Sequence, residues 1–211
     1  MLNSQRLVAF GCSNTYGHGL PDCHMPPNEH GPTYSKQAWP SLLANDLNLD
    51  LHNQGVPGAS NLEILHNILH YDFKKDDIVV VMWSYVGRDM LFGKKNILGW
   101  QDIIRIGLWQ TTDLSKSWRE THSREDVATR SWYYIHHATL FLASKGIKFY
   151  NVFSGIDELI KFKPDFINKD VYHDIKIISS RPYDLALDNV HPGPKTHRMI
   201  ADKIRKIINE D

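Results

Sequence analysis

The sequence predicts an α/β fold with a mostly parallel sheet, and three observations carry that reading. Short apolar, β-branched runs alternate along the chain with stretches of helical spacing. The clearest run, Asp77-Ile78-Val79-Val80-Val81-Met82-Trp83, is unbroken, as in a central strand covered on both faces. Finally, 211 residues with 42% hydrophobic and 23% charged content suffice for one well-buried core, and no Gly/Ser- or Pro-rich linker divides them.

The elements follow in order. Leu7 to Phe10, closed by Gly11, reads as a buried first strand. From Gln37 to Leu47 the spacing of Trp39, Leu42, Leu43 and Leu47 predicts a helix. Leu49 to Gln54 is a weaker second strand, ending in the turn Gly55-Val56-Pro57-Gly58. Ser60 and Glu63 stand at capping-box spacing before a helix that carries Leu62, Leu65 and Leu69 to about Tyr71.

After the central strand, residues 86–121 read as a long irregular insertion or lid within a single 1–211 domain, with one short helix around Gln101 to Ile106. Ser123 opens a long helix to Lys145, stopped by Gly146. Ile147 to Phe153 is again a strand. Residues 155–180 show little pattern beyond a short strand at Ile175 to Ile178. Pro194 begins a last amphipathic helix bearing Met199, Ile200, Ile204, Ile207 and Ile208.

Charge excludes some classes of partner. Lys plus Arg equals Asp plus Glu at 24 each, so no net field gathers phosphate backbones or anionic lipid. Lys74-Lys75 and Lys94-Lys95 read as solvated turns. The N-terminus lacks a signal-peptide core, and no stretch approaches the ~20 apolar residues of a membrane span. Two cysteines make no disulfide framework. The expectation is a cytoplasmic protein with no nucleic-acid or membrane partner.

Chemistry concentrates where strands end, the usual place for ligands in open parallel sheets. Gly11-Cys12-Ser13-Asn14-Thr15-Tyr16-Gly17 marks the end of the first strand, Asn53 to Asn61 that of the second, and Trp83 to Arg88 that of the central one. Asp188-Asn189-Val190-His191-Pro192 precedes the last helix. A serine hydroxyl needs a neighbouring base to act as nucleophile. Histidine is suited to that task, and an aspartate three residues earlier can fix its tautomer. Ser13, His191 and Asp188 therefore form a candidate triad, and backbone N–H groups at Ser13 and the glycine turn a candidate oxyanion hole.

These blocks resemble the GDSL or SGNH hydrolases. Gly11, Ser13, Thr15 and Gly17 match the first family block, and Asp188, His191 and Pro192 match the last. Ala38-Trp39-Pro40-Ser41-Leu42-Leu43 is similar to a helix start that the family places between its first two blocks. The resemblance implies a three-layer, flavodoxin-like α/β fold and cleavage of small esters through an acyl-enzyme. It also implies an oxyanion donor at Gly58. No metal and no cofactor are implied, and the partner is a small-molecule or glycan ester.

The chain departs from the family at two places. Cys12 replaces the aspartate before the nucleophile, and a buried, inert thiol is expected there. The third block, Ser84-Tyr85-Val86-Gly87-Arg88-Asp89, lacks the family's oxyanion asparagine. Asn61 and Arg88 are the candidate replacements, with Ser84 behind them, and an ion pair with Asp89 is the alternative role for Arg88. Two other functions remain compatible with these residues: a binding module that keeps the fold without turnover, and an acyltransferase using the same triad. His18, His24 and His30 match no zinc spacing and read as loop residues lining the cleft. His197 reads as packing support. Trp100, Trp109, Trp118, Trp132, Tyr133 and Tyr134 read equally as sugar-stacking or as core aromatics.

Overall fold

The computed structural model describes residues 5–95, 101–153, 157–168, 172–174 and 183–211. Among the described residues the main sheet has five strands: β1 (Arg6–Gly11), β4 (Asp50–Gly55), β5 (Ile78–Met82), β8 (Lys148–Phe153) and β9 (His173–Asp174). They lie in the order β4-β1-β5-β8-β9, and every neighbouring pair is parallel. This is the expected flavodoxin-like order, with the chain reversing direction across the sheet beside β1.

The strand period of two divides the core into two layers. Val8, Phe10, Val79 and Val81 face one side, where Ile64 and Ile68 of α3 (Asn61–His70) and Trp132 and Ile135 of α5 (Arg124–Ser144) cover them. Leu7, Ala9, Val80 and Met82 face the other, against Trp39 and Leu43 of α2 (Trp39–Leu47) and Ile200 and Ile204 of α7 (Pro194–Glu210). The result is helix, sheet and helix, in three layers. Arg6 and Asp77, both buried at the far end of the sheet, pair through two N–H donors at 2.7 Å each.

The stretch 86–121 differs from its expected irregularity. It contains an antiparallel ribbon, β6 (Arg88–Lys95) with β7 (Gln101–Gly107), followed by α4 (Asp113–Thr121). The short helix expected around Gln101 to Ile106 is a strand. Ile103, Ile104 and Ile106 are β-branched and stiff at χ1, and pair with Phe92, Leu91 and Asp89 across the ribbon. The stretch packs onto the body: Met90 and Ile106 of the ribbon and Trp118 of α4 are all buried, and Arg105 reaches Glu63 on α3.

That contact also corrects the capping box. Ser60 Oγ accepts the Glu63 N–H at 3.2 Å as expected, but the Glu63 carboxylate pairs with Arg105. Three further elements carry no clear sequence signal: β2 (His24–Met25) with β3 (Glu29–His30), and α6 (Asp157–Lys161). The strand expected at Ile175 to Ile178 lies outside the described residues. No described helix is long and apolar enough to cross a membrane.

Candidate active site

Parallel pairing brings the predicted polar segments to one edge of the sheet. Gly11 and Gly55 are in register at the ends of β1 and β4, and Val56 N–H donates to the Gly11 carbonyl at 3.0 Å. Asn53 ties the two turns together, its Nδ2 donating to the Thr15 carbonyl at 2.8 Å and its Oδ1 accepting the Gly55 N–H at 2.8 Å. The distant end of the chain joins them where Leu187 N–H meets the Gly19 carbonyl at 2.9 Å.

Ser13 opens a single-turn helix, α1 (Ser13–Tyr16), directly after β1, and is 2% exposed. As the first helical residue its N–H lies outside the helix ladder, and it finds no acceptor among the described residues. Ser13 Oγ has a long O–H···S contact with Cys12 Sγ at 4.0 Å. Cys12 is buried, as expected for a thiol beneath the turn. Burial pushes its thiol up. The charge of Arg88, with hydrogen bonds from Asn14, Ser84 and Ser13, outweighs that and holds it below the ordinary range.

Asp188 and His191 share one turn, in which Asn189 takes a left-handed conformation (φ 56°). Asp188 Oδ1 accepts the backbone N–H groups of Val190 and His191, each at 3.0 Å, and Oδ2 lies 2.5 Å from His191 Nδ1. Burial raises the Asp188 carboxyl, but these donors more than offset it and hold it below the usual carboxylate range. An ionised carboxylate on Nδ1 leaves Nε2 as the basic nitrogen. Gly19 makes room for this turn, since a Cβ there would lie 2.6 Å from Asp188 Cγ. Among the described residues no hydrogen bond joins Ser13 Oγ to His191.

The candidate oxyanion donors divide by how they are used. Gly58 is left-handed (φ 80°), and its N–H has no acceptor among the described residues. A Cβ there would meet only Arg105 and Trp109 carbons at 3.6 and 3.7 Å, so conformation and not space requires glycine. Asn61 is 2% exposed and clasps the Ser84 backbone, with Oδ1 accepting N–H at 2.7 Å and Nδ2 donating to C=O at 3.2 Å. Ser84 Oγ accepts from Arg88 Nη1 at 3.1 Å.

Arg88 lies between two rings, 4.9 Å from the Trp109 centroid and 5.2 Å from that of Tyr85. The ion pair considered for Arg88 and Asp89 does not form. Asp89 instead meets Arg130 Nη1 at 3.3 Å and Trp118 Nε1 at 3.1 Å. Among the described residues no carboxylate lies within ion-pair distance of Arg88.

Two histidines stand together at the site, His18 beside His191. His18, Asp188 and His191 have ligand atoms within 4.8 Å of one another. The His18 and His191 rings, however, are stacked at 13°, so their in-plane lone pairs run side by side and do not converge on one ion. His24 and His30 face each other across β2 and β3. His197 is fully buried and accepts the Trp39 N–H on Nδ1 at 3.1 Å. Of the aromatics, Trp118 and Trp132 are buried, whereas Trp109 is 55% exposed beside Arg88 and Gly58. Trp100 lies outside the described residues. The stack of His18 on His191 has no signature at sequence level beyond nearness to Ser13, whereas Asn53 opens one of the polar strand-end segments that the sequence singles out.

The fold is similar to that of solved lipolytic and esterase structures. No protein-family model matches the chain, and no curated protein does so by sequence. Solved structures do match. An acetyl xylan esterase from Butyrivibrio proteoclasticus aligns at 15% identity and TM-score 0.60, over all of this chain and 64% of its own length. An aryl esterase of M. smegmatis aligns at 11% identity and TM-score 0.56, over 98% of this chain and 99% of that one. A protein assigned to the lipolytic G-D-S-L family from Desulfitobacterium hafniense DCB-2 aligns at 12% identity and TM-score 0.53, over 96% and 99%. At these identities the likeness is one of fold.

Proposed function

We propose that the chain is a serine esterase that cleaves a small ester through an acyl-enzyme, with Ser13 as nucleophile, His191 as base and Asp188 as its orienting acid. The observation that carries this reading is the Asp188 carboxylate, held by two backbone N–H groups and set 2.5 Å from His191 Nδ1. Fixing the imidazole in that tautomer is the work of a triad aspartate. A turn built only to cap α7 has no use for it.

His191 Nε2 takes the Ser13 proton as Oγ bonds to the carbonyl carbon. The displaced C=O electron pair becomes an oxyanion, held by the N–H groups of Ser13 and Gly58. Arg88 supplies the third donor, because its guanidinium offers five N–H groups and, among the described residues, Nη1 alone is engaged. Collapse expels the alcohol oxygen, which receives the proton from His191. Water then gives a proton to His191, attacks the acyl carbon, and releases the acid as Ser13 regains its proton.

The substrate we favour is an acylated sugar. The exposed Trp109 and Tyr85 rings flank Arg88 and offer apolar faces to a sugar ring, and several structural neighbours are carbohydrate esterases. The ribbon that carries Arg105 and the turn that carries Trp109 form one wall of the site against Gly58.

A fluorophosphonate probe and 4-nitrophenyl acetate test the reading together. Covalent labelling and turnover are expected in the native chain. Both should be lost in Ser13→Ala, with turnover falling by about 10⁴–10⁶. A native chain that neither labels nor turns over is a binding module, and full labelling of Ser13→Ala would transfer the role to another nucleophile such as Cys12.

A further inference from the structure

We propose that His18 is a positioning residue for His191: laid face to face on the imidazole, it fixes the plane of the base, which the bond to Asp188 leaves free to turn. The ring centroids are 4.5 Å apart and the planes differ by 13°. The bond from His191 Nδ1 to Asp188 Oδ2 anchors one nitrogen but permits rocking about that axis. A base that rocks takes Nε2 out of line with Ser13, and misplacement of about 1 Å costs on the order of a hundredfold in rate. A stacked ring opposes that motion.

His18 is itself held on three sides. Its N–H donates to the Ser13 carbonyl at 3.0 Å, which places it one turn beyond the nucleophile. Its Nε2 lies 3.1 Å from the Asn28 carbonyl, in the turn between β2 and β3, a contact that requires the proton on Nε2. The edge of its ring meets His30 at 5.5 Å and 75°, and His30 in turn meets Tyr16 at 5.0 Å. The small β2–β3 ribbon thus acts as a buttress, reaching the base through His18.

The ionisable groups facing His18 are His191, Asp188 and His30. Burial, and then His191, push His18 below the ordinary histidine range, against the pull of Asn28 and Asp188. A neutral ring presents its electron-rich face to the imidazolium that His191 becomes in the transition state. A charged one would repel it.

The rate effect rests on the esterase reading, but the geometry can be tested without turnover. The hydrogen between His191 Nδ1 and Asp188 gives a far-downfield proton resonance when it is held in a short bond shielded from exchange. In His18→Ala, kcat on 4-nitrophenyl acetate should fall about tenfold with KM within twofold, and that resonance should broaden. This corresponds to the loss of one aromatic contact. His18→Phe keeps the stacked face and should restore both to near native values. His18→Gln keeps a donor for Asn28 but no ring, and should not. Native kcat and an unchanged resonance in His18→Ala would overturn the proposal. So would rescue by Gln in place of Phe, or a rise in KM alone, which would make His18 a substrate contact. If the native chain turns over no ester, the hydrolase reading fails, while the resonance in the three variants still decides whether His18 holds His191.

Discussion

Arg105 on β7 grips Glu63 on the first turn of α3 through two N–H donors, Nε to Oε2 at 2.8 Å and Nη2 to Oε1 at 2.5 Å. The Glu63 side chain is 2% exposed and that of Arg105 is 38% exposed, so the pair is buried on one side only. It joins the β6–β7 ribbon to the helix that begins just after Gly58. Glu63→Ala should destabilise the chain by about 1–3 kcal/mol, since it removes charge-assisted bonds and strands the arginine. Urea unfolding measures the loss, and hydrogen exchange should show it first in β6 and β7. Native protection there would mean that Met90, Ile106 and Trp118 alone hold the ribbon.

Arg88 and Asn61 should separate by the kind of damage they do. Arg88→Met removes the proposed third oxyanion donor, and kcat should fall by about 10²–10³ with KM little changed. Asn61→Ala breaks two bonds to the Ser84 backbone in a buried place, and should cost about 2–3 kcal/mol of stability. Steady-state kinetics beside thermal unfolding distinguishes the two. An Arg88→Met enzyme with native kcat would leave the oxyanion to the two backbone groups.

Gly58→Ala should lower kcat although the new methyl would make only ordinary contacts, with Arg105 and Trp109. At φ 80° an alanine is strained by about 1–2 kcal/mol, and relief of that strain turns the Gly58 N–H away from the oxyanion position. The expected signature is a fall in kcat that exceeds any change in KM. An unchanged kcat would take Gly58 out of the oxyanion hole.

His197 makes stability depend on pH. Burial holds it at about 4 in the folded chain, against 6.5 for a free histidine. Above pH 6.5 neither state is protonated there, and its contribution is complete. Between 6.5 and about 4 the unfolded chain takes up a proton that the folded chain refuses, so stability falls as pH falls. The loss approaches about 3 kcal/mol at the lower end, and it ceases below that point. Unfolding free energies at pH 7 and pH 4.5 should differ less in His197→Phe than in the native chain. Equal differences would mean that the ring is solvated and titrates normally.

The patterned parts of the fold could be read because their signals are local. Val79, Val80 and Val81 form a strand covered on both sides because all three are apolar. Ser60 and Ser123 start helices because their hydroxyls accept the N–H groups of Glu63 and Asp126. The β6–β7 ribbon could not be read in this way, because each strand is marginal alone and forms only against the other and against Glu63.

The site divides along the same line. By itself the sequence determined which residues are candidates for the proposed chemistry, and that Asp188 and His191 share a turn, since a spacing of three fixes their nearness. Tertiary structure alone decided that Asn61 braces the Ser84 backbone, that Asp89 turns to Arg130 and leaves Arg88 between Trp109 and Tyr85, and that His18 lies flat on His191 across 173 positions of chain. The physical reason is that a side chain's donors and its π face are satisfied by whatever the fold brings within about 3–5 Å, and for these residues the partner lies far away in sequence.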